Sequence, residues 1–244
     1  MRPLLLFILT GMITVACSVS PKGKEEAPNV FQANTDAQGM AFTFHFEKGV
    51  AHNHPTFVFC LYDLKGNFIQ TLYVTQSLAT GVYGHGALGD DRWKREPGQA
   101  RRPATLPYWL HKRGFQAPDG FYLPTPDNPV PDAYTGATPS GDFVLNTKSN
   151  KPLTGKFRVL MEINQPWDWN NYWHNSRYPN NRHYMTSAQP ALVYAVRIDP
   201  QKTDRKYYLN PIGHSHYAGE NGELFTNLST FTSALQIAKN IYVE

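Results

Sequence analysis

Apolar and polar positions alternate with a period of two in several stretches of this chain, the signature of half-buried β-strands. Phe42, Phe44 and Phe46 alternate with Thr43 and His45. Lys156–Ile163 alternates again, while Ala191–Ile198 is more continuously apolar and reads as a more fully buried strand. Thr56–Leu64 and Phe68–Thr75 flank Lys65, Gly66 and Asn67, which predicts a hairpin. Tyr207–Leu209 predicts a short strand and Asn240–Val243 a later one; only Thr232–Lys239 reads as a short helix. Short strands separated by Gly, Pro and Asn clusters point to an all-β fold. The expected architecture is an immunoglobulin-like antiparallel β-sandwich with at most one short helix.

Between Leu78 and Phe157 the alternation stops. Residues 78–156 are rich in Pro, Gly, Arg, Trp and Tyr and are expected to form a long irregular insertion. A loop of this length inside a compact domain is usually functional or disordered. Trp93, Tyr108, Trp109, Phe115, Phe121 and Tyr122 argue for order, because that many aromatic rings need burial.

The N-terminus has the layout of an export signal: Met1-Arg2, an apolar core from Leu4 to Val15, then Ala16-Cys17. That core is too short for a membrane span. Thr14–Cys17 looks like a lipobox, so residues 1–17 are expected to be a lipoprotein signal with Cys17 as the lipidated residue. Residues 18–38 are polar, with Pro21, Pro28, Lys22, Lys24, Glu25 and Glu26, and read as a flexible tether. Residues 39–244 then form one domain. The expected location is periplasmic or cell-surface, anchored to the bilayer by the lipid.

Cys60 is the only other cysteine, which excludes an intrachain disulfide in the mature chain and any Cys-x-x-Cys motif. It stands in an apolar run and is expected to be a small core residue. With 23 Lys and Arg against 19 Asp and Glu, the net charge is +4, falling by one when Arg2 leaves with the signal. That balance is too weak to argue for nucleic acid. No P-loop, nucleophile elbow or dinucleotide fingerprint is present.

Asp132–Thr138 reads Asp, two free positions, Thr, Gly, Ala, Thr. The string resembles the acceptor motif at which bacterial flavin transferases attach FMN through a phosphoester to the final Thr or Ser. Thr138 would supply the nucleophilic hydroxyl. Asp132, Thr135, Gly136 and Ala137 would form the recognition frame, with Gly136 and Ala137 keeping the approach narrow. Thr-Gly-Ala-Thr-Pro is equally good chemistry for a plain surface turn.

Further segments broaden the resemblance: His52–Pro55, Gly66–Tyr73, Arg101–Trp109, Gln189–Tyr194 and Pro211–Gly219. Together they resemble an uncharacterised family of exported bacterial proteins with an immunoglobulin-like domain similar to that of flagellar hook-capping proteins. Members are often encoded beside flavin transferases and PepSY-domain membrane proteins. The resemblance implies an extracytoplasmic flavoprotein that exchanges electrons with a PepSY-type membrane reductase, acting as a carrier rather than a stand-alone enzyme.

Two His-x-His pairs occur, His52/His54 and His214/His216. Alternate residues of an extended strand share a face, so each pair offers two imidazoles to one metal, and four would suit Zn(II) or Cu(II). Capping of carbonyls or packing on aromatics is the plainer expectation. His85, His111, His174 and His183 are reserve ligands without recognisable spacing. Trp167–His174 is an aromatic cluster that either stacks a ligand ring or caps one end of the sandwich. Arg101, Arg102, Lys112 and Arg113 either neutralise an FMN phosphate or form a solvated basic face. The competing function is a non-redox binding or scaffold module in which the histidines hold metal. For the anchor, Cys17→Ala is expected to shift the protein from the membrane to the soluble fraction with its fold intact. Unchanged membrane association would remove the lipid anchor.

Overall fold

Phe42, Phe44 and Phe46 point inward from an eight-residue strand while Thr43, His45 and Glu47 stay partly exposed, as the period of two requires. The computed structural model describes residues 27–89, 92–130, 135–136, 138–202 and 204–244. Cys17, the first part of the expected tether, Asp132 and Ala137 lie outside the described residues. In chain order the strands are β1 (Asn29–Gln32), β2 (Ala41–Lys48), β3 (Thr56–Asp63), β4 (Phe68–Thr75), β5 (Val82–Tyr83), β6 (Ala87–Gly89), β7 (Arg92–Trp93) and β8 (Gly98–Gln99). They continue as β9 (Thr135–Gly136), β10 (Phe143–Lys148), β11 (Phe157–Asn164), β12 (Leu192–Ile198), β13 (Tyr207–Tyr208), β14 (Asn210–His214) and β15 (Ala238–Val243).

Two sheets make the sandwich, in the orders β1-β10-β2-β15-β13 and β14-β12-β11-β3-β4-β9. In the larger sheet β12, β11, β3 and β4 are antiparallel neighbours. That is the G-F-C-C′ order of an immunoglobulin variable-type sheet, and the antiparallel pair β2 and β10 in the other sheet corresponds to B and E. β15 fills the second edge of β2, where strand A would lie. Between the sheets the core is built from phenylalanine: Phe44 stacks on Phe59 at 4.3 Å, and Phe143 lies between Phe46 at 4.8 Å and Phe57 at 5.3 Å.

The expected loop region 78–156 contains more order than its composition indicates. β10 lies inside it with a buried-exposed alternation along its whole length. Much of the remainder packs on the outer face of the larger sheet, where Leu78, Tyr83, Leu106, Trp109 and Leu110 cover Val58, Cys60, Tyr62, Leu160 and Val193. β3 is therefore buried on both faces, which is why it reads as an apolar run, and Cys60 is a buried core residue as expected. β1 also falls where a tether was expected. It pairs in parallel with β10 and sets Phe31 edge-on to Phe143.

Three short helices occur beyond the one expected: α1 (Gln76–Thr80), α2 (Pro107–Arg113) and α3 (Arg182–Ser187). Each is two turns or less, too brief to display a 3.6-residue period. Within Thr232–Lys239 only Ser233–Gln236 is helical, a single 3₁₀ turn, because Ala238 already pairs with Lys48 in the sheet. β14 was hidden by Pro211 and Gly213, residues tolerated because this strand lies at the sheet edge.

α2 is docked by a buried carboxyl group. Glu162, opposite Val58 and Val193 in the sheet, accepts from the Tyr108 amide at 3.0 Å and the Trp109 amide at 2.7 Å. These are orphan amides of the first helical turn. Trp109 Nε1 donates to Thr71 Oγ1 at 2.9 Å, and Gly114 closes the helix in the left-handed region. Burial pushes the Glu162 carboxyl up to about 8 against the opposing pull of the two amides and Ser215. A folded-state value raised above the ordinary 4.5 means that stability is fully present below 4.5 and declines as pH rises towards 8. Glu162→Gln is expected to remove that slope, which reaches about 1.4 kcal/mol per pH unit. Urea unfolding of both proteins across the window checks it, and parallel curves would refute the assignment.

Candidate functional site at one rim of the sandwich

Strand register gathers the chemically interesting loops at one end of the larger sheet. His214, at the end of β14, is opposite Leu192 at the start of β12. Leu192 is opposite Ile163 near the end of β11, and Asn164 is opposite Thr56 at the start of β3. Val58 is opposite Val74, and Thr75 is opposite Gly136 of β9. The segments containing His52 and His54, Trp167–His174, His214 and His216, and Thr138 therefore lie along one rim. It corresponds to the end of an immunoglobulin domain that carries the B–C and F–G loops.

At the β9 end, Thr135 and Gly136 pair in parallel with Val74 and Thr75. Gly136 is needed for close approach: a Cβ there would lie 2.6 Å from the Tyr73 hydroxyl and 3.3 Å from two of its ring carbons. Thr138 is half-buried and lines an open pocket of about 350 Å³ with Thr75, Ser77, Thr80, Tyr83 and Gly136. Its walls are rich in hydroxyls, and Tyr83 contributes an apolar face. Of the five motif residues, Gly136 and Thr138 line this pocket, and Thr135 precedes them in β9. Asp132 and Ala137 lie outside the described residues.

The basic residues do not line the Thr138 pocket. Arg101 pairs with Asp119 and donates to the Pro124 carbonyl. Lys112 lies over the Tyr108 ring, and Arg113 over Trp109 and Phe115. Arg102 is buried, with its guanidinium 4.3 Å from the Tyr83 ring, 4.8 Å from Trp93 and 5.8 Å from Trp167. It donates to the His85 carbonyl, and no described carboxylate pairs with it. Burial lowers its pKa, and three ring faces stand in for a counter-ion. The buried Arg102 thus supports the wall that Tyr83 presents to Thr138.

The two histidine pairs stay apart. β3 and β14 are three strand spacings from each other, about 14 Å. Among the described residues no three His, Cys, Asp or Glu side chains gather at a spacing that could hold a metal ion. The four-imidazole site expected from His52, His54, His214 and His216 is not assembled. His52 packs edge-on to Phe46, and His54 Nδ1 lies 3.1 Å from Asn53 Oδ1. The reserve histidines are also engaged: His85 against Trp167, His111 with the Gly219 carbonyl, His174 with Ser176 and His183 against Phe121.

Trp167–His174 mainly holds the rim together. Trp173 is buried, its Nε1 donating to Thr230 Oγ1 at 3.1 Å, and Trp169 packs edge-on to Tyr184. Asn170 donates to Gln189 Oε1 and to the Thr230 carbonyl. Tyr172 stays exposed with Arg177 3.6 Å above its ring.

Further along this rim from Thr138, Trp173, His214, His216 and Phe225 line a second open pocket of about 260 Å³. Phe225, Asn227 and Thr230 belong to a segment that sequence reasoning passed over; its one signal is Phe225 shortly after the second histidine pair. Glu162 and Arg102 gave no signal as buried ionisable groups, because burial of such a group depends on which distant element covers it. No protein-family model, characterised protein or solved structure matches this chain.

Gly136→Ala tests whether the motif glycine is a packing requirement. The variant is expected to lose about 1–3 kcal/mol by overpacking against Tyr73. Adding Tyr73→Phe, which deletes the nearest atom, is expected to recover part of that loss in thermal or urea unfolding. A fully stable single variant would refute the packing role.

Proposed function

We propose that this chain is an extracytoplasmic, lipid-anchored electron carrier with FMN joined through a phosphoester to Thr138. The observation that carries the reading is the Asp132–Thr138 string, with Thr138 on the rim in an open, hydroxyl-lined pocket. An acceptor residue has to be reachable by a second protein, and an open pocket meets that need. In the attachment step Thr138 Oγ forms the new bond to phosphorus as the bond to the donor's leaving group breaks. The hydroxyl proton passes to a base of the flavin transferase.

The pocket fits the group in kind. Ser77 offers a hydroxyl to the phosphate or ribityl chain and Tyr83 an aromatic wall, whereas the Thr75 and Thr80 hydroxyls are bonded to the Phe57 backbone and the Gln76 carbonyl. No described cation lines it, so the phosphate would rest on hydroxyl and backbone donors. A bound flavin supplies one- and two-electron chemistry; this chain's residues would attach it, orient it and present it at the rim. The partners are a flavin transferase, a PepSY-domain membrane reductase and the bilayer that holds Cys17. Among the described residues no helix is long and apolar enough to cross a membrane.

The second reading is a non-redox binding module, which the aromatic pocket at His214 and His216 favours. In-gel flavin fluorescence after denaturation separates the two. Co-expression with an active transferase is expected to label the wild type and Thr138→Ser but not Thr138→Ala. Stacked flavin would be lost on denaturation, so a retained signal reports a covalent bond. Absence of added FMN mass in the wild type would leave the binding module as the better account.

A further inference from the structure

We propose that the pocket at His214 and His216 binds a planar heterocycle that carries both an N–H and a C=O. The two imidazoles present complementary nitrogens. His214 Nδ1 lies 2.8 Å from the Ser215 carbonyl oxygen, which can only accept, so Nδ1 carries the proton and Nε2 is an acceptor. His216 Nδ1 receives the amides of Ala218 at 3.3 Å and Glu220 at 3.4 Å, so its proton is on Nε2, which becomes a donor. That Nε2 lies 4.0 Å from the exposed Glu220 carboxylate, beyond hydrogen-bond distance. Burial lowers both imidazole pKa values, which keeps the rings neutral and the two tautomers distinct.

Both rings line the pocket, so an acceptor and a donor are available to one ligand, His214 to receive its N–H and His216 to donate to its C=O. The walls suit a flat ring. Trp173 and Phe225 line the pocket, the His214 ring is stacked on Phe225 at 5.4 Å and 21°, and the volume is about 260 Å³. A metal chelate is disfavoured, because His216 Nε2 has no lone pair while Nδ1 caps two amides. Sugar hydroxyls donate and accept alike and would not require fixed, opposite tautomers. β14 is five strand spacings from β9, about 24 Å, so the ligand here is a separate molecule and the inference stands without the Thr138 reading.

Calorimetry on the full chain with lumiflavin, 3-methyllumiflavin, uracil and N-acetylglucosamine tests this. Lumiflavin is expected to bind and to shift the His214 and His216 ring-nitrogen NMR signals. Methylation of N3, which removes the ligand N–H, is expected to weaken binding about tenfold, the worth of one hydrogen bond near 1.4 kcal/mol. Binding of uracil alone would support the same recognition in a smaller ring. His216→Phe is expected to weaken binding to a similar degree, and the methylated ligand supplies the same test if that variant misfolds. Binding of neither heterocycle, equal binding of 3-methyllumiflavin, or preference for the sugar would overturn the proposal.

Discussion

The contact between Glu162 and the first turn of α2 is the one on which the functional end of this molecule depends. A carboxyl group in the middle of a sheet face would ordinarily be a fault, since burying it unpaired is strongly unfavourable. Here the Tyr108 and Trp109 amides each donate to one of its oxygens, and the helix gains a partner for its orphan donors. Sheet and helix each resolve the other's unsatisfied polar groups. The outer face of the larger sheet is thereby closed, and the segment leading into α2 is fixed with Arg102 among Tyr83, Trp93 and Trp167. Through Tyr83 the same chain of contacts reaches the wall beside Thr138.

The sandwich was largely legible because its strands obey a period of two on a half-buried surface. The phenylalanines of β2, the hairpin of β3 and β4 with Gly66 at φ 91°, and the strands β11 and β12 themselves all follow from local pattern. What stayed hidden follows from tertiary context. β10 alternates cleanly in FVLNTK, but its polar positions and its setting among loops masked it. α2 is legible only after Glu162 is seen to face it, since its sequence alone shows neither a side-chain cap nor an acidic first turn. Within the site, the motif residues could be named from sequence. The aromatic box around Arg102 could not, because it joins residues from three separated segments.

The rim arrangement has a general logic. Immunoglobulin-like sheets place the loops of one end side by side on a rigid strand ladder, so side chains distant in sequence keep fixed separations. That ladder brings Thr138 and the His214–His216 pocket to a common edge while holding them apart. Two pockets of different lining can then act on different molecules without competing for space.

The pairing of β2 with β15 bears on how the molecule assembles. Asn240 donates to Glu47 across a sequence separation of 193 positions, whereas the β3–β4 hairpin closes over a short loop. Distant pairings lose more chain entropy before they gain contacts, so they form late. The β3–β4 hairpin is then an early frame, and the pairing of β15 with β2 closes the phenylalanine layer late. Until the sandwich closes Phe57 and Phe59 face water, so the half-closed sandwich, rather than the finished one, is the species open to aggregation.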